Sequence, residues 1–234
     1  MIKNIVKKLQ PSSTLMINEY SKSLEKKGQK IFKFGFGQSP FNIPQDIVDE
    51  LKKNAHQNKY LPIQGLQTLR SVISKYYSKK YKQNFSPENI IIGPGSKELM
   101  FLLHLLFDGT IILPAPSWVS YAPQAKIGRN NIKWIETKPE NNWFPTASEI
   151  EKTIKKDKKK NYLLFLNSPN NPSGQICQNL KEIAQLTKKY NFLILSDEIY
   201  SELTFSDNFD SISKYSPQNT IISSGISKWC GAGG

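Results

Sequence analysis

Y-L-L-F-L-N-S-P-N-N-P-S-G, Tyr162–Gly174, sets a short apolar run against an abrupt polar stop. The run lacks alternating polar positions, so it reads as a strand covered on both faces. Similar runs recur from Asn89 onward: N-I-I-I, T-I-I-L-P, I-K-W-I-E, F-L-I-L-S-D and T-I-I-S-S. Between them, helical patterns fall at Ser96 to Phe107, Tyr121 to Ile127, Ala147 to Lys155 and Asn179 to Tyr190. The alternation predicts an α/β fold with buried, mostly parallel strands flanked by helices. In such sheets ligands sit at the carboxyl ends of the strands. The residues that follow each run are therefore the first place to look for chemistry.

The chain of 234 residues is long enough for one large domain, or one domain with a small appendage. A hydrophobic content of 38% and a mean hydropathy of -0.47 fit a soluble protein. No stretch approaches the roughly 18 uncharged apolar residues of a membrane helix. The first residues, M-I-K-N-I-V-K-K-L-Q-P-S-S, hold no apolar core of signal-peptide length. Cys177 and Cys230 form no CxxC pair, which predicts a reducing, cytoplasmic setting and no metal site.

The formal charge of +13 raises nucleic-acid binding as a function. Arg70 and Arg129 are the only arginines, however, and arginine is the usual side chain for bidentate phosphate and base contacts. The densest run, K-K-D-K-K-K at Lys155 to Lys160, reads as a solvated helix end and loop. No nucleic-acid partner is expected.

Residues 1–40 read as an N-terminal arm or part of a small domain, with a helix at Ser13 to Lys27 and then an extended, turn-rich stretch. Residues 41–234 read as the main domain. It begins with a helix from Gln45 to about Asn54. A turn around Leu61-Pro62 follows, and then a helix from Gly65 to about Tyr81, with Leu66, Leu69, Ile73 and Tyr76 at helical spacing.

Five motifs carry chemistry-bearing residues. I-I-G-P-G-S-K-E-L-M-F is a run, a glycine-rich turn and a helix start, an arrangement whose free amides bind phosphate. The plainer alternative is a serine-capped turn. Trp118, in the proline-rich turn of L-P-A-P-S-W-V-S-Y, is placed either to stack on a planar ligand or simply to pack. N-S-P-N-N-P-S-G is a rigid strand-end loop that presents an amide. Asp197 closes F-L-I-L-S-D, and a carboxylate there needs a cation or hydrogen-bond donor unless it merely caps the next segment. Lys228, among Gly225, Ser227 and Gly231, has the character of a nucleophile toward an aldehyde, or of a surface lysine on a terminal tail.

Taken together and in this order, the motifs resemble the class I and II aminotransferases, pyridoxal-phosphate-dependent enzymes of fold type I. The resemblance runs from about Gly35 to the last residue, carried by N-S-P-N-N-P-S-G, S-D-E-I-Y and G-I-S-K-x-x-G-A-G-G. It implies that Lys228 is the Schiff-base lysine and moves the proton between substrate Cα and cofactor C4′. Asp197 would pair with the pyridinium nitrogen. Asn171 and Tyr200 would hydrogen-bond the phenolic oxygen. Gly95, Ser96 and Lys97 would hold the phosphate, and Trp118 would stack on the ring. Tyr60 would reach the phosphate of a neighbouring subunit in a homodimer. Gly37 and Asn171 would lie near the substrate, an amino acid or 2-oxo acid. Two departures, G-Q-S-P-F in place of G-E-P-D-F and Ser173 in place of threonine, bear on substrate class.

The family pattern continues past the lysine to an arginine for the phosphate, an antiparallel strand and a C-terminal small domain. The sequence reading therefore expects a truncated enzyme. That strand would lie between the first strand of the sheet and the one leading to Lys228. Three functions remain open at this point: an aminotransferase, a C–S β-lyase of the same fold, or a non-catalytic fragment.

Overall fold

The computed structural model describes residues 4–7, 9, 11–35, 37–156, 161–205 and 209–233. Its helices are α1 (Asn4–Lys7), α2 (Ser13–Lys26), α3 (Gln45–Asn54), α4 (Gln67–Tyr81), α5 (Ser96–Leu106), α6 (Tyr121–Ile127), α7 (Ala147–Lys155) and α8 (Leu180–Tyr190). Five strands alternate with the later helices: β1 (Thr110–Ala115), β2 (Asn131–Glu136), β3 (Tyr162–Asn167), β4 (Leu193–Asp197) and β5 (Thr220–Ser223). They form one sheet in the order β2-β1-β3-β4-β5, with every pair parallel. Of the lysine run read as a helix end and loop, Lys155 closes α7, and 157–160 lie outside the described residues.

Burial explains why the strand sequences are so uniformly apolar. All six residues of β3 are buried, because helices cover both faces of the sheet. Ile112, Leu164, Leu166 and Ile194 face Ile150, Ile154 and Ile183 of α7 and α8. Ile111, Leu113, Leu163, Phe165 and Leu195 face Met100 of α5 and Tyr121 and Ala125 of α6. The period of two along each strand thus feeds two separate cores. The parallel crossovers also bring the carboxyl ends of β1, β3, β4 and β5 to one edge.

One predicted strand is not there. Asn89–Ile92 joins no strand; a 3₁₀ turn occupies Pro87–Asn89, and residues 90–92 run without sheet pairing. A strand exists only where a neighbour completes its hydrogen bonds. Here the Ile92 N–H donates to the Gln64 carbonyl at 2.9 Å, and the Ile90 N–H to Pro87 at 3.2 Å. Gly65 permits this approach. Its φ is +97°, and a Cβ there would stand 2.6 Å from Ile92 Cβ. Gly65→Ala should therefore cost about 1–3 kcal/mol in chemical denaturation. An unchanged midpoint would contradict that close approach.

The segments before β1 are far less covered. None of the residues of α3 is buried, and Phe34, Phe41, Tyr60 and Ile63 are mostly exposed. Among the described residues, no helix is long and apolar enough to cross a membrane.

Candidate active site

The site grows from the end of β4. That strand, L-I-L-S-D, carries Asp197 to the sheet edge while keeping it 3% exposed. Its Oδ2 accepts from the Tyr121 hydroxyl at 2.5 Å, and its Oδ1 accepts from the Ile199 N–H at 3.3 Å. The main-chain carbonyl of Asp197 is held by Asn167 Nδ2 at 2.9 Å and Ser168 N–H at 3.1 Å. Burial pushes the Asp197 carboxyl up to about 6, against the downward pull of Tyr121, Ile199 and the Lys228 charge.

A raised carboxyl makes an unusual contribution to stability. Between the unfolded value near 3.8 and the folded value near 6, the native state binds more protons than the unfolded state. The contribution of Asp197 is thus present at low pH and is lost as pH rises through that window. In cofactor-free protein, Asp197→Asn should gain on the wild type by up to about 3 kcal/mol as pH rises past 6. Denaturation midpoints at several pH values measure this directly, and a difference that does not change with pH would refute it.

Lys228 follows β5 in a turn, half-buried. Its Nζ donates to the Gly37 carbonyl at 3.1 Å and lies 5.7 Å from the centre of the Tyr200 ring. Tyr200, three residues after Asp197, accepts a hydrogen bond from Asn171 Nδ2 at 3.4 Å. Its hydroxyl is held above the usual tyrosine range by burial and the nearby Asp197 charge, against the Asn171 hydrogen bond. The loop that presents Asn171 is braced from within: Asn167 Oδ1 accepts the Asn171 N–H at 2.7 Å, and Asn170 Oδ1 accepts from Ser173. The rigidity read from the prolines and asparagines is therefore built from side-chain-to-backbone hydrogen bonds.

On the β1 side, Gly95 caps α5 with φ +101° and no side-chain hydrogen bond, leaving amides at the helix start without a cap. Open space surrounds the position a Cβ would take at Gly95. Lys97, in the first turn, places Nζ 5.3 Å from the centre of the Trp118 ring, and its carbonyl accepts from Gln124. Ser96 opens the same turn. Trp118 meets Tyr121 edge-on at 5.3 Å. The fold thus brings Gly37, Asn171, Asp197, Tyr200 and Lys228 together, with Gly95, Ser96 and Lys97 at the start of α5 and Trp118 after β1. Tyr60 stays apart, fully exposed between α3 and α4.

Sequence reasoning missed three residues. Tyr121 holds Asp197 directly; its only signal was a polar-tipped aromatic one helical turn after Trp118. Asn167 ties the 168–174 loop to β4, and an asparagine closing an all-apolar strand could have marked it. Glu198 is 1% exposed and lies on the far side of β4, where it accepts from Ser196 at 2.8 Å, Ser211 at 2.6 Å and the Tyr81 hydroxyl. Three hydroxyls satisfy that buried carboxylate, and the one from Tyr81 ties the end of β4 to α4.

This donor set fits pyridoxal phosphate. A buried carboxylate with one lightly used oxygen suits a protonated ring nitrogen, a lysine amine bound to a carbonyl suits an aldehyde, and uncapped amides suit a phosphate. The aminotransferase class I and II family model matches residues 29–234. An aspartate aminotransferase from Bacillus sp. (strain YM-2) is 34% identical over 97% of this chain and 60% of its own length. An asparagine–oxo-acid transaminase from Streptococcus mutans is 33% identical over 95% of this chain and 59% of its own. Among solved structures, the aspartate aminotransferase of Thermotoga maritima superposes with a TM-score of 0.91 at 29% identity, covering 99% of this chain and 63% of that one. The chain therefore belongs to the class I and II aminotransferase family. It spans about three fifths of the length of these relatives.

Proposed function

We propose that the whole protein to which this chain belongs exchanges an amino group between an amino acid, aspartate foremost, and a 2-oxo acid, using pyridoxal phosphate. The observation that carries this reading is the convergence of Lys228, Asp197, Tyr200 and Asn171 at the carboxyl edge of the sheet. Aspartate is favoured by the names of the relatives, several of which are aspartate aminotransferases.

Bound there, the cofactor would supply an aldehyde to hold the amino group and a ring to accept the electrons left at Cα. The residues of this chain do the rest. Lys228 would hold the aldehyde carbon through Nζ and, once the substrate's amino group had displaced it, its free amine would carry the proton taken from substrate Cα. Asp197 would keep a proton on the ring nitrogen. Tyr200 and Asn171 would hold the phenolic oxygen, and Trp118 would pack against the ring. Gly95, Ser96 and Lys97 would hold the phosphate at the start of α5. Gly37 borders the space for substrate.

A homodimer belongs to this reading. Tyr60 is fully exposed and free to meet a second copy, and apolar side chains such as Phe34, Phe41 and Ile63 are exposed on the same early segments. Two buried, unpaired cysteines fit a cytoplasmic setting.

The test is a coupled assay of full-length protein with pyridoxal phosphate, aspartate and 2-oxoglutarate. Formation of glutamate and oxaloacetate in equal amounts is the expected result. Release of ammonia and a 2-oxo acid from a sulfur-bearing amino acid, without glutamate formation, would point to the lyase instead.

A further inference from the structure

We propose that Tyr121 is a positioning residue that sets where the proton lies between Asp197 and the cofactor's ring nitrogen. The proposal rests on the cofactor reading above. Tyr121 is 1% exposed and opens α6. Its ring is wedged between Trp118, edge-on at 5.3 Å, and Phe165, at 4.9 Å. Phe165 is in turn stacked on His104 at 4.8 Å, so the wedge reaches into the core between the sheet and α5. The hydroxyl therefore has little freedom, and it donates to Asp197 Oδ2 at 2.5 Å.

The two oxygens of Asp197 are consequently unequal. Oδ2 is occupied by a short, buried hydrogen bond, whereas among the described residues Oδ1 receives only the longer one from Ile199. Oδ1 is the oxygen left for a ring nitrogen. A donor on one carboxylate oxygen makes the whole group a weaker base. The proton of the Asp197–pyridinium pair then stays on nitrogen, as a proton-bearing electron sink requires. Without the Tyr121 hydroxyl, desolvation of Asp197 acts with less opposition, and the proton moves from nitrogen to Oδ1, leaving a neutral acid beside a neutral pyridine. The other charged or titratable groups facing Asp197 are Lys228 and Tyr200.

The same residue joins two functions. Its edge meets Trp118, whose proposed place is over the ring, and its hydroxyl meets the carboxylate proposed for the ring nitrogen. Tyr121 thereby fixes both partners relative to each other.

The experiment uses full-length protein loaded with pyridoxal phosphate carrying ¹⁵N at the ring nitrogen. In wild type the nitrogen resonance should lie in the protonated range from about pH 6 to 8. In Tyr121→Phe it should move toward the neutral range, with kcat lower by about 10- to 100-fold and KM nearly unchanged. A second variant carries 3-fluorotyrosine at position 121, a stronger donor of nearly the same size, and should hold the protonated signal to a higher pH than wild type. A Phe variant with the wild-type resonance, or a fluorotyrosine variant that loses the proton earlier, overturns the role of Tyr121. If the wild type takes up no borohydride-reducible cofactor at Lys228, the cofactor reading itself fails and this inference with it.

Discussion

Lys228→Ala, in full-length protein, should lower amino-group exchange by about 10⁴-fold or more, because one side chain is asked to serve as both covalent anchor and proton carrier. Those roles separate experimentally. Borohydride treatment of cofactor-loaded wild type should fix the cofactor to the peptide that contains Lys228, and mass spectrometry should find no such adduct in the variant. Phosphate and ring contacts remain in Lys228→Ala, so the cofactor should still bind, reversibly and more weakly. The effect on folding should be small, since among the described residues the amine makes one hydrogen bond, to Gly37, and it is half-exposed. An adduct on another lysine in the wild type would remove Lys228 from the mechanism altogether. Retained turnover in the variant would do the same.

Asp197→Asn should be nearly as damaging, for a different reason. An amide cannot balance a pyridinium charge, and an unprotonated pyridine is a poor acceptor of the electrons released at Cα. Removal of the Cα proton should slow by about 10³-fold or more, mainly in kcat, because the charge interaction strengthens as electrons flow into the ring. Lys228 is untouched, so the covalent attachment should survive. Asp197→Glu should outperform Asp197→Asn despite its longer reach, because it keeps the charge. Single-turnover conversion by Asp197→Asn at the wild-type rate would mean that the carboxylate only braces the start of the next segment.

Much of this was legible because the relevant information is local. An apolar run of strand length, then a loop, then a helical period predicts β1, β2, β3, β4 and β5, and each is present. Helices such as α3, α6 and α7 fall where the spacing put them. Asn89–Ile92 was misread for a reason the local pattern cannot carry. Its composition suits a strand, but pairing is decided by what lies alongside, and its Ile92 amide is taken by Gln64. The site divides in the same way. Asp197 closes an apolar run, and Asn171, Tyr200 and Lys228 stood out because they lie in motifs of unusual composition that follow such runs and resemble one family. Tyr121, Asn167 and Glu198 did not, because each has a partner far off in sequence, namely Asp197, the Asp197 carbonyl and Tyr81 at 76, 30 and 117 positions. A tyrosine at a helix start looks like packing until the carboxylate it holds is in view.

The contact between Lys228 and the carbonyl of Gly37 has an implication for mutagenesis. A main-chain oxygen is common to all twenty amino acids, so no exchange at position 37 deletes it. Open space surrounds the place where a Cβ would stand, so a small side chain is accommodated there. Saturation of this position would therefore leave the amine's tether genetically invisible, while altering the room beside it. Backbone chemistry can reach what codons cannot: an amide-to-ester exchange between residues 37 and 38 weakens that one oxygen as an acceptor and leaves every side chain in place.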